Sequence, residues 1–177
     1  MPNARSAGGR AVERAPRKRR PSPGQPKSVT PKMVDPLIKR LYLYWQDKSG
    51  GRAMPARADL DPLEMRSMLG YLMLIDVVPG PLRFRVRLQG TELLWWVGRE
   101  LTGLTLAALP RNELVTFAER CLSDVVATGA PYHWIGRHDL DGVLRRYEAL
   151  ILPLASDGSR VDMLLAGVRC RGRFPEQ

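Results

Sequence analysis

The chain has 177 residues, a net charge of +10 and an apolar fraction of 44%, which suits one globular domain of ordinary size rather than two. Its apolar runs, such as 150–155 and 163–167, fall far short of the roughly 18 residues that cross a bilayer, so no membrane span is expected. The charge is concentrated: residues 1–32 carry nine Lys or Arg against Glu13, a net +8 that leaves +2 for the rest, so the remainder has little field with which to attract phosphate.

Residues 1–32 are rich in Pro, Gly, Ser, Arg and Lys and almost free of large apolar side chains. Such a segment cannot bury enough surface to offset the entropy of ordering, and it reads as a disordered basic tail. Met33 opens the first patterned segment and is a candidate true start. The alternative is a basic arm for nucleic acid or an anionic surface. The N-terminus lacks the apolar core and small-residue cleavage site of a secretory signal, which points to a cytoplasmic protein.

Asp35-Pro36 starts a helix, with Asp as N-cap and Pro at the first position. Val34, Leu37, Ile38, Leu41, Tyr42 and Trp45 then recur at helical spacing until Gly50-Gly51. This stripe must cover either the second face of a sheet or a partner. Asp61-Pro62-Leu63-Glu64 reads as a second start, stapled by Leu60 and Met65 and closed by Gly70.

Residues 72–78 and 83–88 are rich in β-formers and flank the turn Pro79-Gly80-Pro81. In the second strand, apolar Phe84, Val86 and Leu88 alternate with Arg83, Arg85 and Arg87, so one face is wet or paired with acids. Gly90-Thr91 marks the exit, where Gly permits a sharp turn and Thr is expected to cap the next helix. Adjacent Trp95 and Trp96 on that helix cannot both face inward, because neighbours are about 100° apart.

Asn112 to Thr128 carries Leu114, Phe117, Ala118, Cys121, Leu122 and Val125 on one stripe and stops at Gly129. Strands at 132–139, 143–154 and 161–169 follow, with turns at Asp141-Gly142 and Asp157-Gly158. Tyr147, Ala149 and Ile151 line one face of the fourth strand, and Leu150, Leu152 and Leu154 the other. Both faces therefore read as covered. Pro153, late in that strand, suggests an edge or a bulge. Five antiparallel strands interrupted by a helical crossover make an α+β fold, an arrangement that many small ligand-sensing domains share.

Four blocks, in order, carry a family resemblance. They are Arg57-Ala58-Asp59-Leu60-Asp61-Pro62, then Phe84-Arg85-Val86-Arg87-Leu88-Gln89-Gly90-Thr91, then Gly98-Arg99-Glu100-Leu101-Thr102-Gly103, and Tyr147-Glu148 through Leu152-Pro153-Leu154-Ala155-Ser156-Asp157-Gly158. Together they resemble the small PAS-domain family of alphaproteobacteria, over about residues 37–169. The resemblance implies a PAS fold with sheet order 2-1-5-4-3, helices on one face, a possible ligand pocket between sheet and helices, and a signalling role without a defined ligand or catalytic activity. The expected domain is 33–172, with a short tail at 173–177. Within the family blocks, Asp59 and Asp61 read as braces of the short helix, and Arg57 as the partner of an acid such as Asp76 or Glu148.

The cofactors that PAS folds are known to hold find little support. A haem would want His on the long crossover helix, and 112–128 has none; a flavin photosensor would want Cys in 91–109, which also has none. His133 and His138 differ in strand parity, so they point to opposite faces and no metal pair forms. Cys121 and Cys170 make no disulfide framework and read as reduced, structural residues. No nucleophile motif or phosphate loop marks an enzyme. The reading is a cytoplasmic sensory regulator whose partner is a small molecule or an unidentified signalling protein, with nucleic acid possible only through residues 1–32. Trp96, Phe117, Cys121 and Tyr147 are the expected pocket residues. Tyr132 and Trp134 are further pocket or interface candidates. Leu37, Leu41 and Trp45 are the expected interface of a homodimer.

Overall fold

The computed structural model describes residues 33–80, 83–140 and 143–171. The basic tail, Pro81 of the first turn, the Asp141-Gly142 turn and the C-terminal tail lie outside them. In chain order the elements are α1 (Pro36–Ser49), β1 (Leu72–Val77), β2 (Phe84–Gln89), α2 (Thr91–Val97), α3 (Glu113–Thr128), β3 (Tyr132–Leu140), β4 (Val143–Leu154) and β5 (Met163–Arg171). The strands form one antiparallel sheet in the order β2-β1-β5-β4-β3, as expected.

Helix α1 begins where the Asp35 side chain accepts from the Leu37 N–H at 2.9 Å, the N-cap bond that satisfies one of the orphan donors of a helix start. The helix crosses β4 and β5 on the outer face of the sheet. Ile38, Leu41 and Trp45 are buried there, and the Trp45 indole donates to the Pro153 carbonyl at 2.9 Å. The stripe therefore covers the sheet's second face. This corrects the expected interface role of Leu41 and Trp45: both side chains are spent on the chain's own sheet, with Leu41 wholly buried and Leu37 half-buried.

Gly167 makes this packing possible. It pairs with Leu150 on one side and Leu72 on the other, and a Cβ there would overlap the Leu41 side chain. The N-terminal end of α1 is held by a buried carboxylate from the middle of β4. Glu148 accepts from the backbone N–H of Val34 at 2.9 Å and of Asp35 at 2.8 Å. Its Oε1 also meets His133 Nε2 at 2.9 Å. Beside it, Arg169 donates to Asp35 at 3.3 Å and lies 4.1 Å over the Tyr71 ring.

Several local expectations change. Residues 62–68 form a run of turns leading into a 3-10 helix at Leu69–Tyr71, instead of an α-helix. The Asp61 carboxylate does accept from the Leu63 N–H at 2.8 Å, the same two-residue bond with which Asp35 opens α1, so the cap alone does not decide that an α-helix follows. Asp59 braces the preceding 3-10 turn, accepting from the Ala56 N–H and from Arg52. Arg57 donates to the Leu60 carbonyl and pairs with neither expected acid. Asp76 is instead held by Arg85 at 2.9 Å and Arg87 at 3.2 Å.

Thr91 does not cap α2, whose cap position is Gly90 without a side-chain bond. Gly90 has an ordinary φ of −70°, and its missing Cβ matters because one would overlap the carbonyls of Leu69 and Gly70. Pro153 sits opposite Leu164 of β5, while β3 starts at Tyr132, opposite Ile151. The strand is thus locally an edge at Pro153, and the missing N–H costs no ladder bond to β3.

Replacing Glu148 with Ala would orphan the buried Asp35 N–H and the part-buried Val34 N–H at once. We expect a loss of about 3–5 kcal/mol in urea unfolding, with Glu148→Gln losing less because one acceptor remains; an Ala variant within about 0.5 kcal/mol of the parent would refute the role of this carboxylate.

Candidate functional site

The inner face of the sheet, opposite α1, presents Met73 and Ile75 from β1, Tyr147, Ala149 and Ile151 from β4, and Ala166 and Val168 from β5. These are alternate residues of their strands, the period of two that puts them on one side. Helices α2 and α3 and the segment between them lie over this face without filling it. Between them is a cavity of about 330 Å³, at the small end of the range for ligand pockets. Its wall is almost wholly apolar.

Helix α3 contributes one row of its stripe, Leu114, Ala118 and Leu122, together with Val115. Its start is fixed by Asn112, whose side chain accepts from the Val115 N–H at 2.8 Å. Phe117 and Cys121 belong to the neighbouring row, which faces β3. Phe117 stacks edge-on to Trp134 with centroids 5.3 Å apart and lines an open surface groove with Arg111, Arg120 and Arg137. Cys121 is fully buried and lines neither space; its thiol lies beside Tyr132.

The four expected pocket residues are therefore divided. Trp96 and Tyr147 line the cavity, Phe117 lines the groove, and Cys121 is core. The apolar stripe of α3 is wider than one row of side chains, and heptad-like spacing alone does not say which row the sheet leaves uncovered. Trp134, one of the aromatics singled out on β3, lines both spaces, as do Tyr147, Asn112 and Leu114.

Tyr147 stands between two tryptophans, 5.5 Å from Trp96 and 6.0 Å from Trp134. Both indole Nε1 atoms are buried and have no hydrogen-bond partner. Trp95, the neighbour of Trp96, is 67% exposed, as the 100° turn between adjacent helical residues requires. Among the described residues, no group of three or more His, Cys, Asp or Glu is placed to hold a metal ion.

The profile of the PAS-domain family matches residues 33–168. The chain belongs to the PAS-domain family. Solved structures similar to this PAS domain include the PAS domain of BvgS from Bordetella pertussis, 18% identical over 64% of this chain and 89% of that one, with a TM-score of 0.47. They also include the LOV protein of Rhodobacter sphaeroides, 17% identical over 63% and 67% with a TM-score of 0.45. A PAS domain from Colwellia psychrerythraea is 14% identical over 62% and 96%, also at 0.45. A search among curated proteins finds no match. PAS is a sensory and signalling fold, and among the described residues no helix is long and apolar enough to cross a membrane.

Burial pushes the Cys121 thiol above its ordinary range, with Tyr132 and Arg120 pulling weakly the other way. Alkylation proceeds through the thiolate, which a raised pKa makes scarcer at a given pH. In a Cys170→Ala background, iodoacetamide at pH 8 should therefore leave Cys121 unmodified in the folded protein and label it in urea. Labelling at equal rates in both states would contradict the buried placement.

Proposed function

We propose that the protein is a cytoplasmic PAS regulator that takes a small molecule into the cavity between the sheet and helices α2 and α3, and that it acts by binding and not by catalysis. The observation that carries this reading is the apolar space of about 330 Å³, walled by side chains from β1, β3, β4, β5, α2 and α3. An interior is normally packed to near-crystalline density. A molecule that fits gains dispersion contacts with the walls and stabilises the fold it enters.

Occupancy would be passed on by the helices, since α2, α3 and the segment between them rest on the ligand while the sheet is braced from behind by α1. The receiver is a partner protein or a second copy. For a second copy meeting α1, the exposed apolar side chains are Val34 and Leu43, beside Leu37, which is half-buried against the core.

The test is a thermal-shift screen of a metabolite library against the parent and Ala118→Phe, which places a ring in the cavity. The variant should match or exceed the parent's stability by about 1 kcal/mol and should lose any saturable shift the parent gives. A ligand at about a hundred times its Kd should raise the parent's stability by about 2.7 kcal/mol. A library that moves neither protein, or a shift that survives in Ala118→Phe, would overturn the reading.

A further inference from the structure

The two edges of the sheet differ. Beyond β2 the chain covers its own edge: the Val86 N–H donates to the Leu104 carbonyl at 2.9 Å, the Val86 carbonyl accepts from Gly103 at 2.7 Å, and Arg85 bridges to Thr105. β3 has no such cover. It pairs with β4 from Tyr132 to Leu140 without a register shift, and among the described residues its other edge has no backbone partner. An edge of this kind presents a row of N–H and C=O groups that can template a further strand. Native sheets blunt their edges with proline, bulges or short strands, and β3, nine residues long with neither proline nor bulge, uses none of these.

A groove of about 870 Å³ touches the four consecutive residues Trp134, Ile135, Gly136 and Arg137 of this strand. Side chains of neighbouring strand residues point to opposite faces, so a space that meets all four lies against the strand's backbone. Helix α3 forms its far side. Phe117 and Trp134, edge-on to each other, make an apolar floor, and Arg120 holds its guanidinium 5.3 Å from the centre of the Phe117 ring. Arg111 and Arg137 extend this basic rim, and Glu113 is the acid among the described lining residues. Arg111 is paired with Glu119. Arg120 and Arg137 are exposed and have no ion-pair partner among the described residues.

We propose that the open edge of β3 and the arginine-lined groove beside it dock an extended acidic segment of a partner protein, which adds to the sheet as a strand alongside β3. In strand addition the main-chain hydrogen bonds supply affinity and the flanking side chains supply selectivity. Charge decides the occupant. Residues 1–32 of the chain itself carry a net +8 and are repelled by these arginines, and a second copy joined edge to edge would bring another set of arginines to the groove. An acidic segment answers both the backbone row and the charge. The surface is independent of the cavity, because a strand can add here whether or not a small molecule is bound within.

The probes are short blocked peptides in which valine alternates with glutamate or, as the control, with lysine. Each is titrated into the full-length protein, with affinity read by fluorescence polarisation and backbone protection by hydrogen exchange. The glutamate peptide should bind at least about tenfold more tightly than the lysine peptide, and it should slow exchange at alternate amides of β3. Arg120→Gln and Arg137→Gln, both at exposed positions, should each weaken it by about two- to fivefold. Two N-methylated forms of the glutamate peptide test the strand geometry: methyl groups on the valine nitrogens block one edge of the peptide, and on the glutamate nitrogens the other. One form should keep its affinity and the other should lose about tenfold or more.

Equal binding of the glutamate and lysine peptides, equal binding of the two methylated forms, or no binding of the glutamate peptide would each overturn the proposal. Protection of β3 amides in the free protein would overturn it too, assigning the edge to a second copy if the protection grows with protein concentration and to the chain's own tail if it does not.

Discussion

The carboxylate of Glu148 is the point on which this architecture turns. It is buried near the centre of β4 and takes hydrogen bonds from two backbone N–H groups just ahead of α1 and from a histidine on the adjacent strand. A charge in that position is tolerable only because its acceptor capacity is used. The bonds also fix where α1 enters. At its far end the helix is fastened by Trp45 to the Pro153 carbonyl, and between the two anchors Gly167 lets Leu41 sit against the sheet. A polar anchor, an apolar seam and a close backbone approach thus specify one placement of one helix.

That placement decides what the rest of the sheet can do. With Leu72, Leu150, Leu152 and Leu165 covered from behind, stability does not have to come from dense packing on the inner face. The inner face can hold a space, and the helices over it can respond to what fills it. The division of labour follows strand parity: even-numbered residues of β4 build the support, and odd-numbered ones build the cavity wall.

Much of this is legible in the amino-acid sequence because the signals are local. Asp35-Pro36 and Asn112 announce their helices through capping chemistry, Gly50 and Gly129 end them, and the alternation through Tyr147, Ala149 and Ile151 already separates the two faces of β4. What is not legible depends on distant neighbours. The punctuation at Asp61-Pro62 is that of a helix and its cap bond forms, yet tertiary packing sets the path to Leu72. Which row of α3 meets the cavity depends on how α3 is rotated over β3 and β4, so Ala118 and Leu122 could not be preferred over Phe117 and Cys121. Arg57 spends its guanidinium on the Leu60 carbonyl and not on Asp76 or Glu148. Trp134 could be noticed as an aromatic on a strand; that its N–H lacks an acceptor requires every neighbour to be in place.

The anchoring of α1 has a kinetic corollary. The Val34–Glu148 bond spans 114 residues, and the outer face that receives the helix is completed only when β4 and β5 have paired. A chain made from its N-terminus therefore produces this amphipathic helix well before its docking surface exists. Non-local contacts of that length are closed late, after the local hairpins have formed. A helix synthesised early is the last layer to be laid down, and until then its apolar stripe is a surface in need of shelter.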